Sequence, residues 1–262
     1  MARGRKKNVE LGYKQMTVED FMTVNSDSSQ YVAQANKLIL SRQNLKENSL
    51  KVLRLAIMQI KPTDHVVHPY RITIPELSSI LNVDAKTLYK TVRNIVDDIN
   101  KNPIFIEGEN NKGKKWVSVP WTQMCQYDSD FGLVIKLNDE LTPLLIGLSE
   151  YYSQYQLANI LDLQTAQGIR LFEILRAKIG QKVISSEGAT VSISVQELKD
   201  YFNADVKYER FSNFHQKIVK RGVYDINEHT CFSLEYSFEH ENRTVTRIVF
   251  VMKSKFKQSI AF

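Results

Sequence analysis

One fifteen-residue stretch occurs twice in this chain, and a duplicated unit constrains the architecture more than any local propensity can. "ITIPELSSILNVDAK" (72–86) aligns without a gap on "ISVQELKDYFNADVK" (193–207), matching Ile72 to Ile193, Glu76 to Glu197, Leu77 to Leu198, Asn82 to Asn203, Asp84 to Asp205 and Lys86 to Lys207 at a constant offset of 121. Thr73 with Glu76, and Ser194 with Glu197, have the S/T-x-x-E spacing of a capping box, in which the hydroxyl and the carboxylate each accept from the other residue's backbone N–H. Both copies therefore predict a short helix that starts at the same place. Asn82 and Asn203 break it, and Asp84 and Asp205 are placed to cap a second helix. Each copy reads as helix, tight turn, helix.

The second helices are amphipathic with the helical period. In copy one, Leu88, Val92, Ile95, Val96 and Ile99 share a face opposite Lys86, Lys90, Arg93, Asn94 and Asp97, with Asp98 close by. In copy two, Phe211, Phe214 and Ile218 point inward, and Arg210, Asn213, Gln216, Lys217 and Lys220 outward. A longer amphipathic helix precedes each copy, "ENSLKVLRLAIMQI" (47–60) and "TAQGIRLFEILRAKI" (165–179), and a strand hairpin follows each. The second hairpin is "CFSLEYSFEHENRTVTRIVFVM" (231–252), turning at "EHENR".

The first hairpin contains "GENNKGKKW" (108–116), which fits the phosphate-loop pattern G-x-x-x-x-G-K. Lys115, however, stands where that loop needs Ser or Thr for magnesium, and strand-like "IFIE" and "WVSVPW" flank it where a strand and a helix are required. The stretch is expected to be a hairpin tipped by Lys112, Lys114 and Lys115, the wing of the first domain. Helix, helix-turn-helix and hairpin in that order make a winged helix. The expected fold is α+β, two tandem winged-helix domains related by internal duplication: a basic flexible tail over 1–28, domains over 29–148 and 149–252, and a basic tail over 253–262.

Charge points to the partner. The 35 Lys+Arg outnumber the 29 Asp+Glu, and the excess gathers at the ends, with Arg3, Arg5, Lys6, Lys7 and Lys14 in the opening segment and Lys253, Lys255 and Lys257 in the closing one. This favours a polyanion. No run approaches the roughly 18 apolar residues of a membrane span, and the N-terminus lacks the apolar core of a signal peptide, so a soluble cytoplasmic protein is expected. Cys125 and Cys231 are too few for a disulfide framework or a four-cysteine zinc site. "HVVH" (65–68) reads as a loop, and "DFG" (130–132) as a turn, since no "HRD" accompanies it. No metal, cofactor or catalytic residue is expected.

Arg, Lys, Asn and Gln are the side chains that reach base edges and phosphates in a major groove. Here they collect on the helices that a helix-turn-helix inserts. The candidate DNA-binding residues are Lys86, Lys90, Arg93 and Asn94 in copy one, Lys207, Arg210, Asn213, Gln216, Lys217, Lys220 and Arg221 in copy two, and Lys112, Lys114, Lys115 and Arg243 on the hairpins. Two such helices in successive grooves, about 10 bp apart, read an asymmetric site of about twenty base pairs, which suits direct repeats.

Three stretches carry a family resemblance. "YVAQANKLILSRQNLKENSLKVLRLAI", "GLVIKLNDELTPLLIGLSEYYSQYQLANILDLQTAQGIRLFEIL" and "FHQKIVKRGVYDINEHTCFSLEY" followed by "RTVTRIVFVM" resemble the opening, the domain junction and the carboxy-terminal signature of the Rep_3 plasmid replication initiators, over roughly residues 30–252. The resemblance implies monomers that bind origin direct repeats (iterons) and open the origin, homodimers that repress their own gene from an inverted repeat, and host replication initiation or helicase-loading proteins as partners. It places the principal base-reading helix on Lys207 to Arg221 and the second on Asp84 to Lys101; Gln216 stands where many members have arginine. The competing reading is a winged-helix transcriptional regulator with no part in initiation. A rolling-circle nickase needs a His-hydrophobic-His step that the chain lacks.

Overall fold

The duplicated stretch folds the same way twice as far as its asparagine turn. The computed structural model describes residues 31–110 and 113–256; the basic N-terminal segment, Lys112 and Lys257 lie outside them. Its first half runs β1 (Tyr31–Ala35), α1 (Asn36–Ile39), α2 (Glu47–Met58), β2 (Pro69–Ile72), α3 (Ile74–Leu81), α4 (Ala85–Lys101), β3 (Ile104–Asn110), β4 (Gly113–Val119), β5 (Thr122–Asp128) and β6 (Gly132–Leu137). After α5 (Thr142–Leu145) the second half repeats the plan: β7 (Tyr152–Gln156), α6 (Ala158–Leu161), α7 (Ala166–Ile179), β8 (Ala189–Ser194), α8 (Val195–Tyr201), a helix over 211–229 (α9), β9 (Phe232–Glu241) and β10 (Thr244–Ser254).

At the start of α3 the capping box is complete: Thr73 Oγ1 accepts from Glu76 N at 3.4 Å, and Glu76 accepts from Thr73 N at 2.7 Å. At α8 it is half made, because Ser194 Oγ accepts from Glu197 N at 3.1 Å while the Glu197 carboxylate bonds Lys178 and Tyr201 instead. Asn82 (φ 50) and Asn203 (φ 48) are both left-handed, a conformation that asparagine adopts more readily than most residues, and so the turn keeps this residue in both copies.

The copies diverge after that turn. Asp84 is the N-cap of α4 by backbone geometry, without a side-chain bond. Asp205 does not cap the second helix; it lies in a longer turn and accepts from Gln196 Nε2 at 2.7 Å, and the helix begins at Phe211 with Arg210 as N-cap. Lys207 therefore precedes the helix that was expected to start on it, and the helix runs on to His229. Within α9 the residues His215–Val219 form a π-helical turn, which inserts one extra residue. Buried positions register it: Phe214 and Ile218 correspond to Leu88 and Val92 at an offset of 126, but Asp225 and Ile226 to Asp98 and Ile99 at 127.

Each half carries a three-stranded antiparallel sheet, ordered β2-β6-β5 and β8-β10-β9. By this order the β5–β6 hairpin is the counterpart of β9–β10, so the wing of the first half is β5–β6. "GENNKGKK" does form a hairpin, β3–β4, but a two-stranded sheet of its own inserted between α4 and the wing. Alternating apolar residues mark strands without naming their partners, which is why the sequence reading assigned the wing to the wrong hairpin. The wing turn is "SDFG", where Asp128 Oδ1 accepts from the N–H groups of Asp130 at 2.7 Å and Phe131 at 3.3 Å. Gly132 (φ 101) is required there, since a Cβ would meet Ile72 O at 2.1 Å. Lys253 belongs to β10 and Lys255 donates to Asn227 O at 2.5 Å, so these two lysines are tied to the second half rather than to a tail.

The halves dock through equivalent elements. β1 and β7 share one burial pattern at an offset of 121, and they pair antiparallel with Ala33 opposite its own counterpart Gln154. Helices α2 and α7 are offset by 119 at their N-caps, Lys46 and Thr165, and Arg54 pairs with its counterpart Glu173. Equivalent residues that contact each other define a two-fold relation between the halves. At its centre Arg54 Nε and Nη2 donate to Glu173 at 2.6 and 3.0 Å, Arg170 Nη1 donates to Glu173 at 3.0 Å, and Tyr155 Oη donates to Glu173 at 2.5 Å, all of them buried. Burial pushes the Glu173 carboxyl up, but Arg54 and Arg170 outweigh it and bring it down to about 2.

Candidate nucleic-acid interface

The second helix of each helix-turn-helix is held by a buried aspartate. On α4, Asp98 Oδ2 accepts from Lys46 N at 2.9 Å and Ser49 Oγ at 2.6 Å, satisfying the start of α2. On α9, Asp225 accepts from Gln164 N and Thr165 N, both at 2.9 Å, and from Thr165 Oγ1 at 2.5 Å, satisfying the start of α7. Each carboxylate both caps a helix whose first N–H groups lack partners and fixes the rotation of its own helix. In the second half Asn227 extends the lock to the wing, donating to Leu234 O at 3.0 Å and accepting from Leu234 N at 2.6 Å. "DIN" occurs at both 98–100 and 225–227, but at an offset of 127 rather than 121, so a gapless comparison misses it. Asp98, expected close to the outward face, points inward.

With the helices fixed, the outward residues are set. Lys86, Lys90, Arg93, Asn94 and Asp97 on α4 are exposed. So are Asn213, Gln216, Lys217, Lys220 and Arg221 on α9, and Lys207 and Arg210 just before it. Arg243 is exposed in the β9–β10 turn beside Asn242 (φ 57). Among the described residues no ion pair uses Lys86, Lys90, Arg93, Lys207, Arg210, Lys217, Lys220, Arg221 or Arg243. Basic residues elsewhere are commonly neutralised: Arg42 by Glu107 and Asp200, Lys136 by Asp139, Arg247 by Glu239, Lys253 by Glu235. Uncompensated positive charge thus lines the two recognition helices and the second wing tip, while Lys37, Lys46, Lys61, Lys115 and Lys182 elsewhere also make no ion pair among the described residues.

The hairpin lysines stand apart from that arrangement. Lys115 is exposed on β4, and Lys114 faces Glu109 in the backbone register; the first wing turn carries Asp128 and Asp130, which repel phosphate. His215 lies on the inner side of α9, its Nε2 2.7 Å from Tyr236 Oη and its ring stacked on Phe211. Burial, and then the Lys220 ammonium, lower its pKa, which favours the neutral ring. Among the described residues no group of His, Cys, Asp and Glu has the geometry to hold a metal ion, and no helix is long and apolar enough to cross a membrane.

The family model described as "Initiator Replication protein, WH1" matches residues 31–176, and that described as "Initiator Rep protein, WH2" matches 194–252. The chain belongs to the initiator replication protein family. A "Replication initiation protein" of Escherichia coli is 22% identical over 209 residues, covering 78% of this chain; the match spans 64% of that relative's length. Among solved structures, that of the Pi initiator protein in complex with iteron DNA superposes with a TM-score of 0.70 at 17% identity, over 87% of this chain and 98% of the other. That likeness establishes the fold, two tandem winged helices.

Proposed function

We propose that this chain binds double-stranded DNA sequence-specifically through α4 and α9 and initiates plasmid replication from origin direct repeats. The observation that carries the reading is the unpaired cationic and amide surface on both recognition helices, in a fold where those helices enter the major groove. Family membership supports the initiating role, and the fold is that of an initiator bound to iteron DNA. The two faces differ in residue, Lys-Arg-Asn against Asn-Gln-Lys-Arg, so the site they read is asymmetric, which suits repeats that run head to tail. Autorepression by a homodimer and recruitment of host helicase-loading proteins complete the proposal.

Footprinting on the DNA flanking the gene tests it, together with transformation by a plasmid that carries only the gene and that DNA. Protected direct repeats and a replicating plasmid are expected. Protection of an inverted repeat alone, on a plasmid that fails to replicate, would make the protein a regulator. Absence of any footprint would sink the DNA-binding reading altogether.

A further inference from the structure

We infer that Tyr89, on the outward face of α4, is a specificity-determining residue whose ring contacts a thymine methyl group in the major groove. This rests on the DNA-binding reading above. Tyr89 is 60% exposed, although a large apolar ring left in water forfeits the stabilisation that burial gives. It sits one turn into the recognition helix, between Lys86, Lys90 and Arg93, where a helix-turn-helix brings side chains to base edges.

The duplication shows what the position is for. At the offset of 126, Tyr89 corresponds to His215. Strand register relates Tyr127, which pairs with Leu133 beside Ile72, to Phe238, which pairs with Ile248 beside Ile193. Both halves therefore hold the same ring contact between recognition helix and wing strand: Tyr89 edge-on to Tyr127 at 5.8 Å, and His215 edge-on to Phe238 at 5.2 Å. In the second half Phe211 and Tyr236 also contact the histidine ring. In the first half Tyr127 is the one aromatic ring seen against Tyr89 among the described residues, which steadies the ring and leaves most of it exposed. A held ring loses little entropy on binding. In the major groove thymine is the one base that offers an apolar group, its C5 methyl, and an aromatic side chain matches it.

The test uses a duplex enriched from a random pool by the wild-type protein. Tyr89→Ala is expected to bind that duplex about tenfold more weakly, about 1.4 kcal/mol, while binding an unselected duplex as the wild type does. Tyr89→Phe keeps the ring and is expected to stay within about twofold of wild type. Replacing thymines one at a time by deoxyuridine removes single methyl groups; one position in the half-site under α4 should weaken the wild type and leave Tyr89→Ala unchanged. Equal losses on both duplexes, a Tyr89→Phe as weak as Tyr89→Ala, or no deoxyuridine position whose effect disappears in Tyr89→Ala would each overturn the assignment. If no duplex is enriched at all, the DNA-binding reading fails instead, and the two failures are distinguishable.

Discussion

Asn203 shows how much one residue decides. Its φ of 48 lies where a β-branched side chain meets the backbone, so Asn203→Val is expected to destabilise the chain by about 1–2 kcal/mol in urea unfolding, whereas Asn203→Gly stays near wild type. Arg210 works at the same scale on another quantity. It is exposed, without an ion pair among the described residues and placed at the N-cap of α9, beside the helix proposed to read bases. Arg210→Ala should cost about 1–3 kcal/mol on the cognate duplex and much less on random DNA, read by fluorescence anisotropy at fixed salt; equal losses would reduce it to a phosphate contact.

At the level of elements, each recognition helix is oriented by the aspartate that caps the preceding long helix. Gly168 stands on α7 where a Cβ would lie 2.2 Å from Asp225 Oδ2, so the cap exists only because that residue has no side chain. Gly168→Ala should displace the carboxylate and lose a cap worth about 0.5–2 kcal/mol, lowering the melting temperature and cognate binding together. Unchanged DNA binding in that variant would show that the cap stabilises α7 without orienting α9. The π-helical turn belongs to this scale too. Its wide turn takes up the one-residue insertion that in a regular helix would rotate everything after Val219 by about 100°, so Asp225 and Ile226 face the core on α9 as Asp98 and Ile99 do on α4.

Across the whole molecule the docking of the halves depends on Arg54, Arg170, Tyr155 and Glu173. Buried charge is costly, and removing one partner strands the rest: Glu173→Gln should destabilise the chain by about 3–5 kcal/mol. A loss below about 1 kcal/mol would mean that water replaces the carboxylate and that the interface is looser than the geometry describes. The same group sets an acid limit. Its folded pKa, about 2, lies below the ordinary carboxylate value, so its stabilisation is complete above about 4.3 and is lost as pH falls from there toward 2. Asp200, paired with Arg42 of the first half, has the opposite sign: burial and then Asp205 raise it to about 6, so its contribution is complete at low pH and fades as pH rises through about 6. Asp205→Asn should flatten the stability profile between about pH 4 and 6 in thermal melts.

By itself the sequence determined the duplication, both helix-turn-helix units, the asparagine turns between their helices, the apolar and cationic faces of α4 and the class of fold. Each of these follows from residues close in the chain, through capping, turn chemistry and a single helical period. Tertiary structure alone decided the rest. Which hairpin serves as the first wing depended on strand partners that β-propensity does not specify, and β3–β4 has the right residues in the wrong sheet. The start of α9 at Phe211 and its π-helical turn are local in extent but answer to tertiary contacts, of Asp225 with Thr165 and of Phe211 with Phe238 of β9. The pairing of Arg54 with Glu173 brings together residues 119 apart, and no periodicity in one segment can reveal a charge placed to meet its own duplicate in the other.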